Sequence, residues 1–198
     1  MTAAATKRLP AVERRAAVLE QACQVFSRMS YRGATTAEIA RSAGISEPIL
    51  YRHFGSKRDL YLACLDETWQ RFRRGAEEAM AEDPSGCLGR IHDRYMASKE
   101  RVRLVDLWIQ ALTVATEDPV IAKALRKQIR EVHDFFADVI RKGQEAGVIV
   151  ADRDPVAEAW IFVAGGMLAT VDNRLGGLVG DDLHGVRRER RRWMLGES

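Results

Sequence analysis

Apolar residues recur every three or four positions along most of the chain, a period that predicts amphipathic helices. The segment from Pro119 to Ala146 shows this most clearly, since isoleucine, leucine, valine and phenylalanine fall on one face. No alternating strands joined by a hairpin dipeptide occur in the sequence. The pattern predicts an all-α fold of about nine helices, at residues 11–29, 36–43, 47–53, 57–81, 85–98, 102–115, 119–146, 155–175 and 181–195.

Three Asp-Pro pairs stand where predicted helices begin, at Asp83, Asp118 and Asp154. An aspartate at a helix start accepts a hydrogen bond from a free backbone N–H, and proline fits the first turn because its missing N–H has no partner there. Gly147 is placed to end the helix before it. These residues support the predicted helix boundaries independently of the apolar period.

Residues 35–54 predict two short helices joined by a tight turn. Thr35 and Glu38 form a capping box at the start of the first helix. Gly44 suits the turn because glycine adopts positive φ without steric cost, and Ser46 is expected to cap the second helix. The side chains expected to face the core are those of Ile49, Leu50 and Phe54. Those expected to point to solvent are Tyr51, Arg52 and His53.

Two short helices joined in this way predict a helix-turn-helix, whose second helix enters the major groove of DNA. The alternative is an ordinary corner between helices. Charge favours DNA, because residues 1–58 hold ten Lys or Arg and four acidic residues, whereas the rest of the chain has 21 basic and 24 acidic residues. Lys57 is expected in the first turn of the next helix, where a phosphate partner would suit a cation that the helix dipole disfavours.

This part of the chain resembles the DNA-binding domain of the TetR family of transcriptional regulators. The resemblance covers about residues 12–72 and implies an N-terminal three-helix DNA-binding domain. The residues before it, 1–11, begin with small and polar side chains and are expected to form a disordered arm. The resemblance also implies a C-terminal helical ligand-binding and dimerisation domain at residues 73–198. The matching residues are Ala22, Phe26, Gly33, Thr35, Thr36, Ile39, Ala40, Ala43, Gly44, Ile45, Ser46, Leu50, Tyr51, His53, Phe54, Lys57 and Leu60.

The resemblance also implies which side chains contact DNA. Phosphate contacts are expected from Thr36, Tyr51, His53 and Lys57. Residues expected near base edges are Ser46, Glu47 and Pro48, and the predicted DNA-binding set is completed by Thr35 and Arg52. Glu47 departs from the family, which often has lysine or a small residue at this position. A carboxylate there is repelled by phosphate but accepts a hydrogen bond from a cytosine amino group.

The C-terminal part supplies large apolar side chains that predict a cavity for a small apolar or aromatic effector. Plain core packing is the alternative for each of them. The candidate ligand-binding residues are Trp69, Phe72, Tyr95, Trp108, Leu112, His133, Phe136, Trp160 and Met167.

The last two predicted helices are expected to form a homodimer interface, with packing inside one chain as the alternative. The helix at 155–175 is apolar almost all round, so it is expected to be buried on several sides. Gly165 and Gly166 in its middle are expected to allow the close approach of a neighbouring helix or ligand. The candidate interface residues are Val163, Val171, Leu183, Val186, Arg190 and Trp193.

Other classes of protein find little support in the sequence. Phosphate-binding glycine loops and the usual hydrolase and zinc-protease motifs are absent, so neither an enzyme nor a cofactor or metal site is expected. The three cysteines have no paired spacing, which fits a reducing cytoplasm. The longest apolar run, residues 159–171, is shorter than the roughly 20 residues of a membrane span, and no secretory signal is seen.

The patterns and the resemblance together predict a cytoplasmic, DNA-binding regulator, and the resemblance implies that it is a ligand-responsive repressor. It is expected to bind a pseudo-palindromic, double-stranded DNA operator as a homodimer, and a small hydrophobic effector is expected to release it. The alternative is an all-helical module that binds a hydrophobic ligand or partner without recognising an operator.

Overall fold

The computed structural model describes residues 11–82 and 99–196, with side chains described for residues 13–82, 104–186 and 188–196. The predicted helix at 85–98 and the N-terminal residues 1–10 lie outside the described residues. Eight helices occur in the part that is described. They are α1 (Ala11–Gly33), α2 (Thr36–Ser42), α3 (Glu47–His53), α4 (Lys57–Glu82), α5 (Lys99–Ala115), α6 (Pro119–Glu145), α7 (Pro155–Arg174) and α8 (Asp182–Leu195).

The all-α prediction is confirmed, since the described residues contain helices and no strand. Every helix predicted within them is present, close to its predicted ends. The helical span of α1 is the exception, because it continues to Gly33. Ser30 nevertheless interrupts it with a φ of 68° and a ψ of 164°, directly after the predicted end at Met29.

The predicted helix-capping residues of the C-terminal half are confirmed. The Asp118 carboxylate accepts hydrogen bonds from the backbone N–H groups of Val120, at 2.9 Å, and Ile121, at 3.3 Å. Asp154 accepts from Val156 at 2.9 Å in the same way. Gly147 follows α6 with a φ of 70°, the left-handed conformation typical of the residue after a helix. These bonds satisfy N–H groups that have no partner inside their helices.

The chain divides into two compact units, one up to Asp66 and one from Glu67 onward. The division falls within α4, slightly before the end of the resemblance at residue 72.

The core of the first unit is built around α1. Met29, the last residue of the predicted helix, is 40% exposed, because regular helix ends at the next residue, Ser30. Leu60 and Tyr61 add fully buried side chains from the start of α4. The buried residues of α1 are Val18, Leu19, Ala22, Cys23, Val25 and Phe26.

The core of the second unit contains α6, which packs against α5 and α7. An aromatic cluster lies within it: the ring centroids of Trp69 and Phe135 are 5.7 Å apart, and those of Phe136 and Phe162 are 3.9 Å apart. Burial of such rings is a large part of the hydrophobic stabilisation of a core. The predicted buried stripe of α6 is confirmed at Ile121, Leu125, Val132, Phe136 and Val139, whereas Ile129, also predicted in it, is half-buried.

The prediction that α7 is buried on several sides is wrong within one chain. One face is exposed, including Trp160, Ile161, Leu168 and Val171. A Cβ added at Gly165 would meet no atom of the described residues within 4 Å, so the expected close approach is not made at this residue inside the protomer, whereas Gly166 is buried.

By length and composition, α7 is also the one helix among the described residues that could cross a membrane, and 33% of it is buried. It is longer than the apolar run counted from the sequence, which it contains. A single helix of this kind is weak evidence for a membrane span, because core helices of soluble proteins pass the same test.

Candidate nucleic-acid interface

The turn between α2 and α3 follows from a few local hydrogen bonds. Thr35 precedes α2, and its hydroxyl accepts from the backbone N–H of Glu38 at 3.1 Å, which confirms the predicted cap. Gly44 has a φ of 66°, and no atom of the described residues lies within 4 Å of the place where a Cβ would be. Glycine is therefore needed at this turn for its backbone conformation rather than for space.

Ser46 occupies the position before α3, but the prediction that its side chain caps the helix is wrong: within the described residues, its hydroxyl makes no capping bond. The reason lies in the first turn. A capping side chain accepts from the second or third N–H of the helix. Pro48 has no N–H at the second position, and the third, that of Ile49, donates to the Ser46 carbonyl at 3.0 Å.

The two faces of α3 differ in exposure as predicted, except that Ile49, expected to face the core, and His53, expected to point to solvent, are both half-buried. Leu50 is fully buried and Phe54, directly after the helix, is 4% exposed. The Arg15 guanidinium lies 4.7 Å from the centre of the Phe54 ring. Tyr51 is 45% exposed and Arg52 is also exposed. The inner face thus fixes the helix on the unit and leaves the outer face open.

Three polar side chains on α2 and α3 are hydrogen-bonded in series. The Thr36 hydroxyl donates to Oε1 of Glu47. The same Thr36 oxygen lies 3.2 Å from the Tyr51 hydroxyl. A threonine hydroxyl has one proton, which the carboxylate takes because it only accepts. Tyr51 is therefore the donor to Thr36. We call Thr36, Glu47 and Tyr51 the polar relay.

The start of α4 lies beside a cluster of aromatic rings. Ser56 caps the helix by accepting from the backbone N–H of Asp59 at 3.0 Å, and its hydroxyl donates to the Asp59 carboxylate at 2.8 Å. The Lys57 ammonium lies 4.8 Å from the centre of the Tyr31 ring, which packs 4.8 Å from the ring of Tyr61. Partial burial lowers the pKa of Lys57 from its usual value.

Within the described part of the chain, no carboxylate forms an ion pair with the half-buried Lys57, so its ammonium is open to an anion brought by another molecule. Desolvation disfavours its charged form, and a phosphate would restore the lost solvation. Sequence reasoning missed Tyr31 as its neighbour. The apolar period of α1 ends at Met29, and only the conformation of Ser30 brings the next residue back to α4.

All predicted DNA-binding residues lie on α2, α3 or the first turn of α4, or directly before α2 or α3. Thr35, Ser46, Pro48 and Arg52 are exposed, whereas Thr36, Glu47, His53 and Lys57 are half-buried. Their roles toward DNA stay predictions.

The candidate ligand-binding residues do not form one set. Trp69, Phe72, Trp108, His133 and Phe136 are buried, and Met167 is half-buried. Leu112 is 48% exposed and Trp160 is 39% exposed, so both lie on the surface of the protomer rather than in its interior. Tyr95 lies outside the described residues.

Two of the buried candidates already have polar partners. Nε1 of Trp108 donates to the Gln128 side chain at 2.6 Å. The two ring nitrogens of His133 lie 2.8 Å from the Asp134 carboxylate and 3.1 Å from the Val156 carbonyl. These contacts account for the burial of both side chains without a ligand.

The candidate interface residues of α7 and α8 also differ in their exposure. Val163 is 7% exposed and belongs to the protomer core, so it is not available on the surface. Val186 and Trp193 are more than half exposed, Val171 is 36% exposed, and Leu183 and Arg190 are half-buried.

The carboxylate of Glu158 ties α8 to α7. This side chain is 6% exposed. One of its oxygens accepts from the Trp193 indole at 3.2 Å and the other pairs with Arg190. Burial lowers the pKa of Arg190, with a smaller contribution from the charge of Arg153. The Arg153 guanidinium lies 3.7 Å from the centre of the Trp193 ring.

Across the described residues, no group of three or more His, Cys, Asp or Glu side chains could hold a metal ion. Cys23 and Cys64 are both buried, and neither forms a disulfide within the described residues.

Comparison with known proteins gives matches in both halves of the sequence. Residues 18–64 match the family model "Bacterial regulatory proteins, tetR family", and residues 88–165 match the model "BetI-type transcriptional repressor, C-terminal". The transcriptional regulator TtgR of Pseudomonas putida is 28% identical over 158 residues, which cover 74% of this chain and 75% of TtgR.

The transcriptional activator FasR of Mycolicibacterium smegmatis is 44% identical over 73 residues, but the match spans 37% of this chain and only 33% of FasR. A TetR-family regulator from Rhodococcus sp. has the same fold, with a TM-score of 0.78 at 21% identity, covering 93% of this chain and 99% of that one.

Proposed function

Because this chain belongs to the TetR family and is a DNA-binding transcriptional regulator, we propose that it is a repressor that a small apolar or aromatic effector releases from its operator. The observation that carries the proposal is the outer face of α3. Leu50 and Phe54 hold that helix on the core, while Tyr51 and Arg52 remain exposed. A short helix held in this way fits the major groove.

Charge supports the same surface. Arg52 and the partly desolvated Lys57 lie on adjacent helices of a unit with an excess of basic residues. Neutralising phosphates releases counterions, so binding is expected to weaken steeply as salt rises. We propose that Thr35, His53 and Lys57 position the protein on the DNA backbone, and that residues at the start of α3 read base edges.

We propose a homodimer formed by α7 and α8. The exposed apolar face of α7 and the open space at Gly165 leave room for a second copy. Val171, Leu183, Val186 and Trp193 are the residues proposed for the contact. A dimer presents two copies of α3 to two half-sites about 34–36 Å apart, which requires a pseudo-palindromic operator.

We propose that the effector binds among the buried aromatic side chains of the second unit. Trp69, Phe72 and Phe136 are the favoured residues, since their rings form the centre of the aromatic cluster. α4 contains residues of both units. An effector that prefers one position of this helix would change DNA affinity by the difference between its own affinities for the two states.

The name of the C-terminal family model supports repression rather than activation. In this proposal the chain acts in the cytoplasm, catalyses no reaction and needs no cofactor or metal.

A mobility-shift experiment tests the proposal. The full chain is mixed with the DNA upstream of its own gene and an excess of random DNA, at two salt concentrations. A shift that survives the competitor and weakens steeply with salt is expected. Equal competition by random DNA would favour the alternative, a helical module that binds a hydrophobic ligand or partner.

A second experiment tests the effector. Small apolar and aromatic compounds are screened for a rise in the thermal unfolding temperature of the full chain, because a ligand that binds only the folded state stabilises it. Compounds that raise it are then added to the shifted complex. Release of the DNA is expected, whereas tighter binding would show that the effector is a co-repressor.

A further inference from the structure

We propose that Glu47 reads the amino group of one cytosine in each half-site of the operator, and that Thr36 and Tyr51 position its carboxylate. The inference deepens the proposed operator-binding function and rests on it. It also gives Thr36 and Tyr51 a role different from the phosphate contacts that the family resemblance implies.

The polar relay fixes one oxygen of the carboxylate. Tyr51 donates to Thr36, and Thr36 donates to Oε1 of Glu47. Both hydroxyl protons are therefore committed inside the protein, and neither is left for a phosphate oxygen. Among the described residues, Oε2 of Glu47 has no hydrogen-bond partner. The relay thus holds the side chain in one orientation with one acceptor oxygen available.

The position of Glu47 in α3 brings that oxygen to the DNA. Glu47 is the first residue of the helix, and Tyr51 follows it by four residues on the same face. Pro48 and Arg52 extend this face, and both are exposed. In a helix-turn-helix, the first residues of the second helix reach base edges in the major groove. A carboxylate at this place therefore lies nearer to bases than a side chain at the end of the helix.

Among the four bases, cytosine is the match for a carboxylate. Its major-groove edge offers an amino donor and no acceptor of its own. Adenine also has an amino group, but its N7 acceptor lies beside it, and a carboxylate has no proton to donate to that nitrogen. Guanine and thymine present only acceptors among their polar groups, which repel Glu47.

The same carboxylate disfavours binding without a sequence match. Phosphate oxygens repel it, and it loses solvation in the groove unless a donor replaces the water. A correct cytosine supplies that donor. Glu47 therefore contributes to specificity in two ways, by accepting from the right base and by penalising the others.

Selection of bound sequences from a random DNA library tests the proposal, using the full chain and the variants Glu47→Ala and Glu47→Gln. The wild type is expected to require cytosine at one symmetry-related position in each half-site, by about ten- to one-hundredfold. Glu47→Ala is expected to lose this preference alone. Glu47→Gln is expected to prefer adenine there, because a glutamine amide accepts from N6 and donates to N7.

Thr36 is a positioning residue and has a matched pair of variants. Thr36→Val removes the hydroxyl at nearly constant shape and is expected to weaken the cytosine preference about tenfold. Its salt dependence is expected to stay that of the wild type, since no phosphate contact is lost. Thr36→Ser keeps the hydroxyl and is expected to restore the preference. Far-UV circular dichroism of each variant checks that the helices are intact.

The outcomes distinguish failure of the cytosine contact from failure of operator binding itself. If the wild type selects a motif and Glu47→Ala selects the same one with equal preference at every position, the reading of cytosine by Glu47 is wrong, although operator binding stands. If Thr36→Val lowers the salt dependence and leaves the motif unchanged, Thr36 contacts phosphate and the relay has no positioning role. If the wild type selects no motif, the proposed function fails, and this inference with it.

Discussion

Replacing Ser30 with glycine is expected to stabilise the protein, although it removes a hydrogen bond. Ser30 has a φ of 68° and a ψ of 164°, and no other described residue except glycine has a positive φ. This region of backbone space is almost exclusive to glycine, and a side chain there costs about 1–3 kcal/mol. The conformation turns the chain between the end of regular α1 and Tyr31.

The magnitude follows from three contributions. Relief of the backbone strain contributes about 2 kcal/mol. The Ser30 hydroxyl accepts from the backbone N–H of Gly33 at 3.2 Å in an exposed position, and losing that bond costs about 0.5 kcal/mol. The greater freedom of glycine in the unfolded chain costs about 0.7 kcal/mol. Ser30→Gly is therefore expected to raise the free energy of unfolding by about 1 kcal/mol.

Ser30→Ala is the matched control, because it removes the hydroxyl and keeps the Cβ. It is expected to lower the free energy of unfolding by about 0.5 kcal/mol. Urea unfolding followed by circular dichroism at 222 nm measures both variants. The expected order of stability is Ser30→Gly, wild type, Ser30→Ala. If the glycine variant is less stable than the alanine variant, the backbone at Ser30 is not strained and the reasoning is wrong.

Three further changes test other parts of the structure. Lys57→Met is expected to weaken operator binding and to reduce the slope of log affinity against log salt by about one, since one phosphate contact is lost. Its free energy of unfolding is expected to stay within about 0.5 kcal/mol of wild type. The lost cation–π contact is offset there by the removal of a partly desolvated charge. Glu158→Ala is expected to lower the free energy of unfolding, measured by urea unfolding, by about 2 kcal/mol. The change leaves Arg190 without its carboxylate and the Trp193 indole without its acceptor. Val186→Asp is expected to halve the mass in sedimentation, since it places a charge on the proposed dimer face.

Each of these changes has a control or an opposing result. Lys57→Arg retains the charge and is expected to keep the salt slope. If Lys57→Met has the same slope as the wild type, Lys57 contacts no phosphate. Glu158→Gln keeps an acceptor for Trp193 and is expected to lose less stability than Glu158→Ala. Val120 is 44% exposed on α6, and Val120→Asp is expected to leave the sedimentation mass unchanged. If Val186→Asp still sediments as a dimer, the interface lies elsewhere.

Much of the fold could be predicted from the sequence because its determinants are local. The Asp118 and Asp154 caps, the positive φ of Gly44 and the buried stripe of α6 each depend on residues within a few turns of one another. The spacing of apolar residues and the identity of helix-capping residues predict structure that is determined over such short distances along the chain. The inner and outer faces of α3 were predictable for the same reason.

The errors have non-local or competing causes. The Ser46 cap failed because Pro48 removes the second N–H of α3, a detail of the first turn that outweighs the preference of serine for the position. Exposure of α7 could not be read from its composition, because an apolar helix faces either its own core or a second copy. Val163, with 7% exposure, faces the protomer core.

The candidate DNA-binding surface depends partly on local sequence and partly on contacts between residues far apart in the chain. Exposure of Tyr51 follows from its place on α3. The polar relay could not be predicted in this way, because Thr36 lies 11 residues from Glu47 and 15 from Tyr51 along the chain. Only the fold brings the three side chains together. The packing of Tyr31 under Lys57 has the same origin, since it depends on the turn at Ser30.

Entry of α3 into the major groove is the claim on which the account depends, and methylation protection measures it directly. Dimethyl sulfate methylates guanine N7, which lies in that groove. The bound protein is expected to protect guanines in two half-sites one helical turn, or a multiple of it, apart, and Tyr51→Ala is expected to weaken the protection. Bound DNA whose guanines all remain fully reactive would contradict the account.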